Sequence, residues 1–137
     1  MSGVRPGDVL PDHQVGPVSA EKMKTMAALM RDANPIHFDP AAVRALGLGD
    51  RVVNQGPLNQ AYVVSMLARW AGGAHRIREL RLRHLGAVFA GDRLRAHGTV
   101  TGVSEQDGVL VASCAVGLDV LGGDPVLSGT ASVHIGG

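Results

Sequence analysis

Between Gly56-Pro57 and Gly72-Gly73 lies a stretch that would be apolar on nearly every side of a helix. Leu58, Ala61, Tyr62, Val63, Val64, Met66, Leu67, Trp70 and Ala71 cover most of the circumference, and the polar positions Asn59, Gln60, Ser65 and Arg69 are few. Proline suits the first helical turn and glycine the residue after the last, so the helix is predicted from Pro57 to Ala71. A helix apolar all round must be enclosed, and the rest of the chain has to enclose it. The 137 residues suit one domain with one core, so 1–137 is read as a single domain. Aromatic residues make up only 3%, so that core must come from Val, Leu, Ala and Met.

The material for the enclosure follows the helix. Arg76 to Leu85 alternates in part, and Leu94, Ala96, Gly98 and Val100 alternate with Arg95, His97, Thr99 and Thr101. Val109 to Leu118 is apolar on both faces, which predicts a central strand or one whose second face meets a partner. Val126 to His134 alternates again, and the turn signals are Gly91-Asp92, Gln106-Asp107-Gly108 and Gly122-Gly123-Asp124. Four strands in a meander are expected. Ahead of the helix, Val9-Leu10 and His13 to Val15 form a short lead-in strand. Ser19 caps a helix from about Ala20 to Arg31, with Glu21 in its first turn. The methionine stripe of that helix, Met23, Met26 and Met30, reads as packing. The resulting class is α+β, an antiparallel sheet wrapped around one long buried helix, which is the hot-dog architecture. The edges of such a sheet need covering, and a second subunit is the usual cover.

Several function classes are excluded by composition. The net charge is +1, and the one arginine-rich run, Arg76 to Arg83, interleaves its charges with Ile and Leu as a strand with one wet face would. Few aromatics are available for bases to stack on, so no nucleic-acid partner is expected. Cys114 is the only cysteine, which rules out a disulfide within the chain and a cysteine zinc site. It reads as a small buried filler. The N-terminus has no apolar signal core, and no stretch approaches the ~18 apolar residues of a membrane span. A cytoplasmic protein without a membrane partner is the expectation.

Chemistry concentrates in Met30 to Pro40, where Asp32, Asn34, His37 and Asp39 are interrupted by Pro35 and Pro40. Each proline drives its predecessor out of the α region, so a bent, preset loop carries these groups. Rigid loops on a scaffold are common seats of catalysis. Asp39 before Pro40 reads as the cap of a short helix through Leu46 that stops at Gly47. The ligand types of Asp32, His37 and Asp39 would suit a metal, but the capping duty of Asp39 argues against that. From the residues alone, Asp32 and His37 could equally be a structural network, the acid capping backbone N–H groups while the imidazole packs. The remaining histidines, His13, His75, His84, His97 and His134, show no partner spacing and read as surface or packing residues.

The run Asp32-Ala33-Asn34-Pro35-Ile36-His37-Phe38-Asp39 resembles the hydratase signature of the MaoC-like (R)-specific enoyl-CoA hydratases. Val4-Arg5-Pro6-Gly7-Asp8-Val9-Leu10 resembles that family's Gly-Asp lead-in. Ala90-Gly91-Asp92-Arg93-Leu94 resembles its Pro-Gly-Asp-Thr-Leu turn, with Arg83 where the preceding strand usually carries an arginine. The resemblance implies a hot-dog fold, usually dimeric, that hydrates trans-2-enoyl thioesters or dehydrates 3-hydroxyacyl thioesters. It implies Asp32 and His37 as the catalytic pair, and a thioester oxygen held by the backbone N–H of Gly56. Asn34 would brace the loop beside the substrate. Departures accompany it. Arg31 stands where Gly is frequent, and Gln55-Gly56-Pro57 stands for a frequent His-Gly-Met.

Conjugate hydration needs a water that loses a proton, a carbon that gains one and a held enolate oxygen. An ionised Asp and a neutral His on one water can move both protons, a contribution of ~10²–10⁴-fold. No metal or redox cofactor is called for. The implied substrate is a CoA or acyl carrier protein thioester, and a homodimer is expected. Two alternatives stay open, a hot-dog thioesterase and a non-catalytic or half-active subunit of a heteromeric hydratase. The thioesterase would want an acid on the central helix, and Pro57 to Ala71 contains none. Small residues such as Ala61 and Gly72 suggest room for a large acyl group.

Overall fold

Helix α3 spans Gly56–Ala71, so it starts one residue before the proline, with Gly56 itself in the first helical position. It ends where Gly72 takes a left-handed conformation (φ 93°) and returns its N–H to Ala68 O at 2.9 Å. The computed structural model describes residues 3–136. Before α3 come β1 (His13–Val15), α1 (Ala20–Leu29), a 3-10 turn at Pro35–His37 and α2 (Pro40–Ala45). After it come a 3-10 turn at Ala74–Arg76, then β2 (Ile77–His84), β3 (Leu94–Gln106), β4 (Val109–Val120) and β5 (Pro125–Gly136).

The strands form one antiparallel sheet in the order β1-β3-β4-β5-β2. The sheet curls over α3, as the hot-dog architecture requires. The expected meander holds only for β3-β4-β5. Strand β2 lies at the far edge beside β5, because residues 85–93 do not make a hairpin. They pass over the start of α3 instead, where Phe89 bridges Val53 and the N–H groups of Ala90 and Gly91 reach Val52 O and Val18 O. The doubly apolar strand β4 is central, as its composition predicts, with Val111, Ala112, Cys114, Val116 and Leu118 buried.

One face of α3 meets this sheet through Val63, Met66, Leu67 and Ala71, all buried. Gly98 on β3 lies under it. A Cβ there would come within 3.2 Å of both Met66 Cε and Leu10 Cδ2, so the missing side chain is what lets helix and sheet approach. The opposite face is only half covered, and Ala61 is exposed. Enclosure on all sides, expected from the composition, is therefore not completed within one chain. One sheet can cover only one side of a helix.

The two Gly-Asp turns share one construction. Gly7 and Gly91 have positive φ (94° and 90°), and the following aspartate accepts a backbone N–H three residues back. Asp8 takes Arg5 N–H and Asp92 takes Phe89 N–H, each at 2.9 Å. Asp92 is further held by Arg51 at 2.9 Å. Both are structural devices.

Candidate active site

Helix α1 stops at Leu29, two residues short of the expected Arg31. Arg31 itself has φ 53°, the left-handed region that favours glycine, and sheds the chain from the helix axis. Asp32 then returns its N–H to Ala27 O at 2.9 Å. Both prolines act as expected, since Asn34 (φ −67°, ψ 115°) and Asp39 (φ −124°, ψ 108°) are extended. Asp39 caps α2 by accepting Ala41 N–H at 2.9 Å. Asn34 Oδ1 caps the 3-10 turn by accepting Ile36 N–H at 3.2 Å. The carboxamide is thus engaged in bracing the loop.

The loop brings Asp32 and His37 together. Asp32 Oδ1 accepts Asn34 N–H at 3.0 Å, and Oδ2 lies 3.3 Å from His37 Nε2. His37 is 8% exposed, and its Nδ1 lies 2.7 Å from Val53 O. A carbonyl only accepts, so Nδ1 carries the hydrogen. In the neutral ring Nε2 is then an acceptor facing a carboxylate. Two acceptors converge on one point, which is what grips a donating water. The Asp32 side chain is 31% exposed, so that point is reached from outside.

Val53 also donates its N–H to Ile36 O at 2.8 Å, which clamps the loop to the segment leading into α3. Gly56 follows three residues later, at most ~10 Å along an extended chain. Its N–H is among those that a helix leaves without an internal partner. Gln55 precedes it as N-cap but makes no side-chain cap bond. Its amide instead donates to Met23 O at 2.8 Å and ties α3 to α1. Gln55 Oε1 is buried without a partner among the described residues. Pro57 has no N–H, and those of Leu58 and Asn59 reach Gln55 O at 3.1 and 3.2 Å. Gly56 N–H meets no competing side chain among the described residues, and it lies at the positive end of the helix dipole.

Three features escaped the sequence reading. His84 is exposed, as a surface residue should be, but its neighbours are specific: its Cε1 lies 3.4 Å from where a Cβ on Gly56 would be, and its Nε2 accepts from Gln60 at 3.2 Å. Its strand position gave no hint of this. Asn59 lies in the buried face of α3 at 3% exposure, with Asn54 Nδ2 donating to its Oδ1 at 2.7 Å and to Tyr62 Oη at 3.3 Å. The signal was present, since Asn59 falls in one helical stripe with Val63 and Met66. The third feature is a cavity of about 360 Å³ between α1 and α3, walled in part by Met26, Leu58, Asn54 and Tyr62. Met26 thus lines this space, and Met30 is 39% exposed, so of the methionine stripe only Met23 is core. Ala61 and Gly72 do not line it.

Other histidines do find partners. His97 Nε2 is 3.1 Å from Asp119, and Arg69 donates to His13 at 3.0 Å. Cys114 is buried and its thiol is pushed up to about 11 by that burial, which keeps it protonated.

The family model for the MaoC like domain matches residues 4–119. The chain belongs to the MaoC-like domain family. Both Gly-Asp turns, the acid–imidazole loop and Gly56 lie within the match. A curated relative from Arabidopsis thaliana, the mitochondrial 3-hydroxyacyl-[acyl-carrier-protein] dehydratase, is 31% identical over 88 residues, covering 64% of this chain and 51% of that protein. The chain thus spans about half the length of that relative. The (R)-hydratase from A. caviae involved in PHA biosynthesis superposes with a TM-score of 0.82 at 23% identity, covering 98% of this chain and 99% of the other. A chain of the ChsH1-ChsH2 complex from Mycobacterium tuberculosis does so with 0.79 at 20%, over 98% and 99%. These two likenesses show the fold. No helix of the described residues is long and apolar enough to cross a membrane.

Proposed function

We propose that the protein adds water to trans-2-enoyl thioesters, or removes it from 3-hydroxyacyl thioesters, in the (R) sense, with CoA or an acyl carrier protein as the carrier. The observation that carries this is the convergence of His37 Nε2 and Asp32 Oδ2, 3.3 Å apart, with the tautomer set by Val53 O, in a chain of this family. The matched relative is named as a 3-hydroxyacyl dehydratase, which supports the same reaction class.

The geometry supports the following steps. A water gives one hydrogen bond to each acceptor. Its oxygen attacks C3 while His37 Nε2 takes one of its protons. The π electrons move through C2 onto the thioester oxygen, which the Gly56 N–H holds. The imidazolium lies between Val53 O and the Asp32 carboxylate, so both stabilise its charge. It then returns the proton to C2. Asp32 thereby orients the water and supports the ring, while His37 carries the proton.

A crotonyl-CoA hydration assay tests this. Asp32→Asn and His37→Ala should each slow turnover by ~10²–10⁴-fold. Wild-type rates in both variants would remove the assignment. Cleavage of an acyl-CoA without hydration would favour the thioesterase reading, against which α3 still offers no acid.

We also propose that the working unit is a dimer of this chain. The half-covered face of α3, with Ala61 exposed and Val64 and Ala68 partly so, is small and apolar enough for a second copy to lie across it. Light scattering on the protein expressed alone should give twice the chain mass of 14.2 kDa. A monomer would point instead to a different partner chain, as in the heteromeric ChsH1-ChsH2 relative.

A further inference from the structure

The cavity between α1 and α3 is linked to the proposed reaction centre through Asn54, which lines it and follows the Val53 whose carbonyl holds His37. One wall is formed by α1 up to Met26, and the other by Asn54, ahead of α3, and by Leu58 and Tyr62 on α3. At about 360 Å³ it lies near the lower end of the ~300–1,000 Å³ usual for ligand sites. Val18, Met26 and Leu58 give it an apolar strip, and its size suits the chain of a short acyl group rather than a bulky ring system.

Ser19, Glu21, Lys22 and Thr25 bring polar groups to the α1 side. Asn54 and Tyr62 face them from the other side, and the hydrogen-bond inventory of these two is informative. Asn54 is 4% exposed. Both hydrogens of its Nδ2 are used, one on Asn59 Oδ1 and one on Tyr62 Oη. Its Oδ1 accepts from no other described residue, yet it is not sealed from solvent as Gln55 Oε1 is. Tyr62 Oη receives the Asn54 bond, so its own hydrogen is free to donate. Neighbouring side chains on the cavity wall therefore offer one acceptor and one donor. A plain hydrocarbon chain would strip water from both without replacement. A hydroxyl satisfies both, since it donates to Asn54 Oδ1 and accepts from Tyr62 O–H. A carbonyl can satisfy only the second.

We infer that Asn54 and Tyr62 form a specificity site that selects acyl chains carrying a hydroxyl beyond the reacting double bond. This rests on the proposed thioester hydration and narrows its substrate class. The product's own C3 hydroxyl is a different group, born at the Asp32–His37 water.

The test compares kcat/KM for hex-2-enoyl-CoA with its 5-hydroxy and 6-hydroxy analogues. One hydroxylated chain should be favoured by about tenfold or more, the order expected for one net hydrogen-bond pair. In Tyr62→Phe and Asn54→Leu that ratio should fall to within about threefold of unity. Tyr62→Phe keeps the ring and is the variant to read if Asn54→Leu does not fold. A wild-type ratio of one or less would overturn the inference, and so would a preference that survives in Tyr62→Phe. Calorimetric binding of hexanoyl-CoA and its 5- and 6-hydroxy counterparts to the wild type reads the site without turnover. A preference in binding with no hydration of any enoyl thioester would sink the activity and keep the site. Hydration with no preference in either assay would sink the site alone, and failure of both assays would remove both.

Discussion

At the scale of single residues, the site depends on backbone groups as much as on side chains. Val53 O decides which nitrogen of His37 is free, and Asn34 N–H decides which oxygen of Asp32 is free. Gly56 gives the sharpest residue-scale test. A methyl group there would make only ordinary contact with His84, at 3.4 Å, and alanine is the better helix former. Gly56→Ala should therefore melt within a few degrees of wild type while losing ~10²-fold in kcat as the methyl shields the N–H. An unchanged kcat would mean that the thioester oxygen is held elsewhere. Arg31 marks the reverse case. The position needs a left-handed backbone, and a side chain there costs about 1–2 kcal/mol. That is a physical reason for the glycine frequent at this point in the family.

At the scale of elements, the contact between α3 and β3 is the tightest constraint. Gly98 has Met66 and Leu10 at 3.2 Å from its absent Cβ. Gly98→Val should overpack the core and destabilise by about 1–3 kcal/mol, read as a lowered urea midpoint with an unchanged slope. Stability equal to wild type would show that α3 can lift off the sheet freely. Gln55 performs a second element-scale task. It ties α3 to Met23 O on α1, which joins the helix that starts at Gly56 to the helix that leads into Asp32.

At the scale of the molecule, one titration links remote parts of the chain. His13 on β1 is held below its ordinary value of 6.5, first by burial and then by the Arg69 charge from α3. The folded state therefore resists protonation of His13 more than the unfolded chain does. Its contribution is present above pH 6.5 and fades as pH falls below that value. Urea midpoints measured from pH 8 to pH 5 should drop more steeply for wild type than for His13→Gln. Parallel curves would show that neither burial nor the Arg69 charge holds His13 down in the folded state. Asp12 acts in the same direction but lower, because its ion pair with Arg95 holds it below the usual carboxylate range.

Local chemistry was enough to determine a good deal from the residues. Ser19, Asp39 and Gly72 mark helix ends through short-range hydrogen bonds and φ preferences. Pro35 and Pro40 set their neighbours' backbone through contacts within two residues. Period-two alternation placed β3 and β5, and the spacing from Asp32 to His37 marked the loop. Tertiary structure alone decided what depends on long-range pairing. The place of β2 beside β5 follows from the route of residues 85–93 over the helix, which no local signal encodes. The tautomer of His37 depends on a carbonyl sixteen residues away. The Asn54–Asn59–Tyr62 network needs a loop and a helix face to meet, and His84 reaches Gly56 only because the sheet curls around α3. The central helix spans the two scales. Its composition announces that it must be covered, but only the folded chain shows that one of its sides is left for something else to cover.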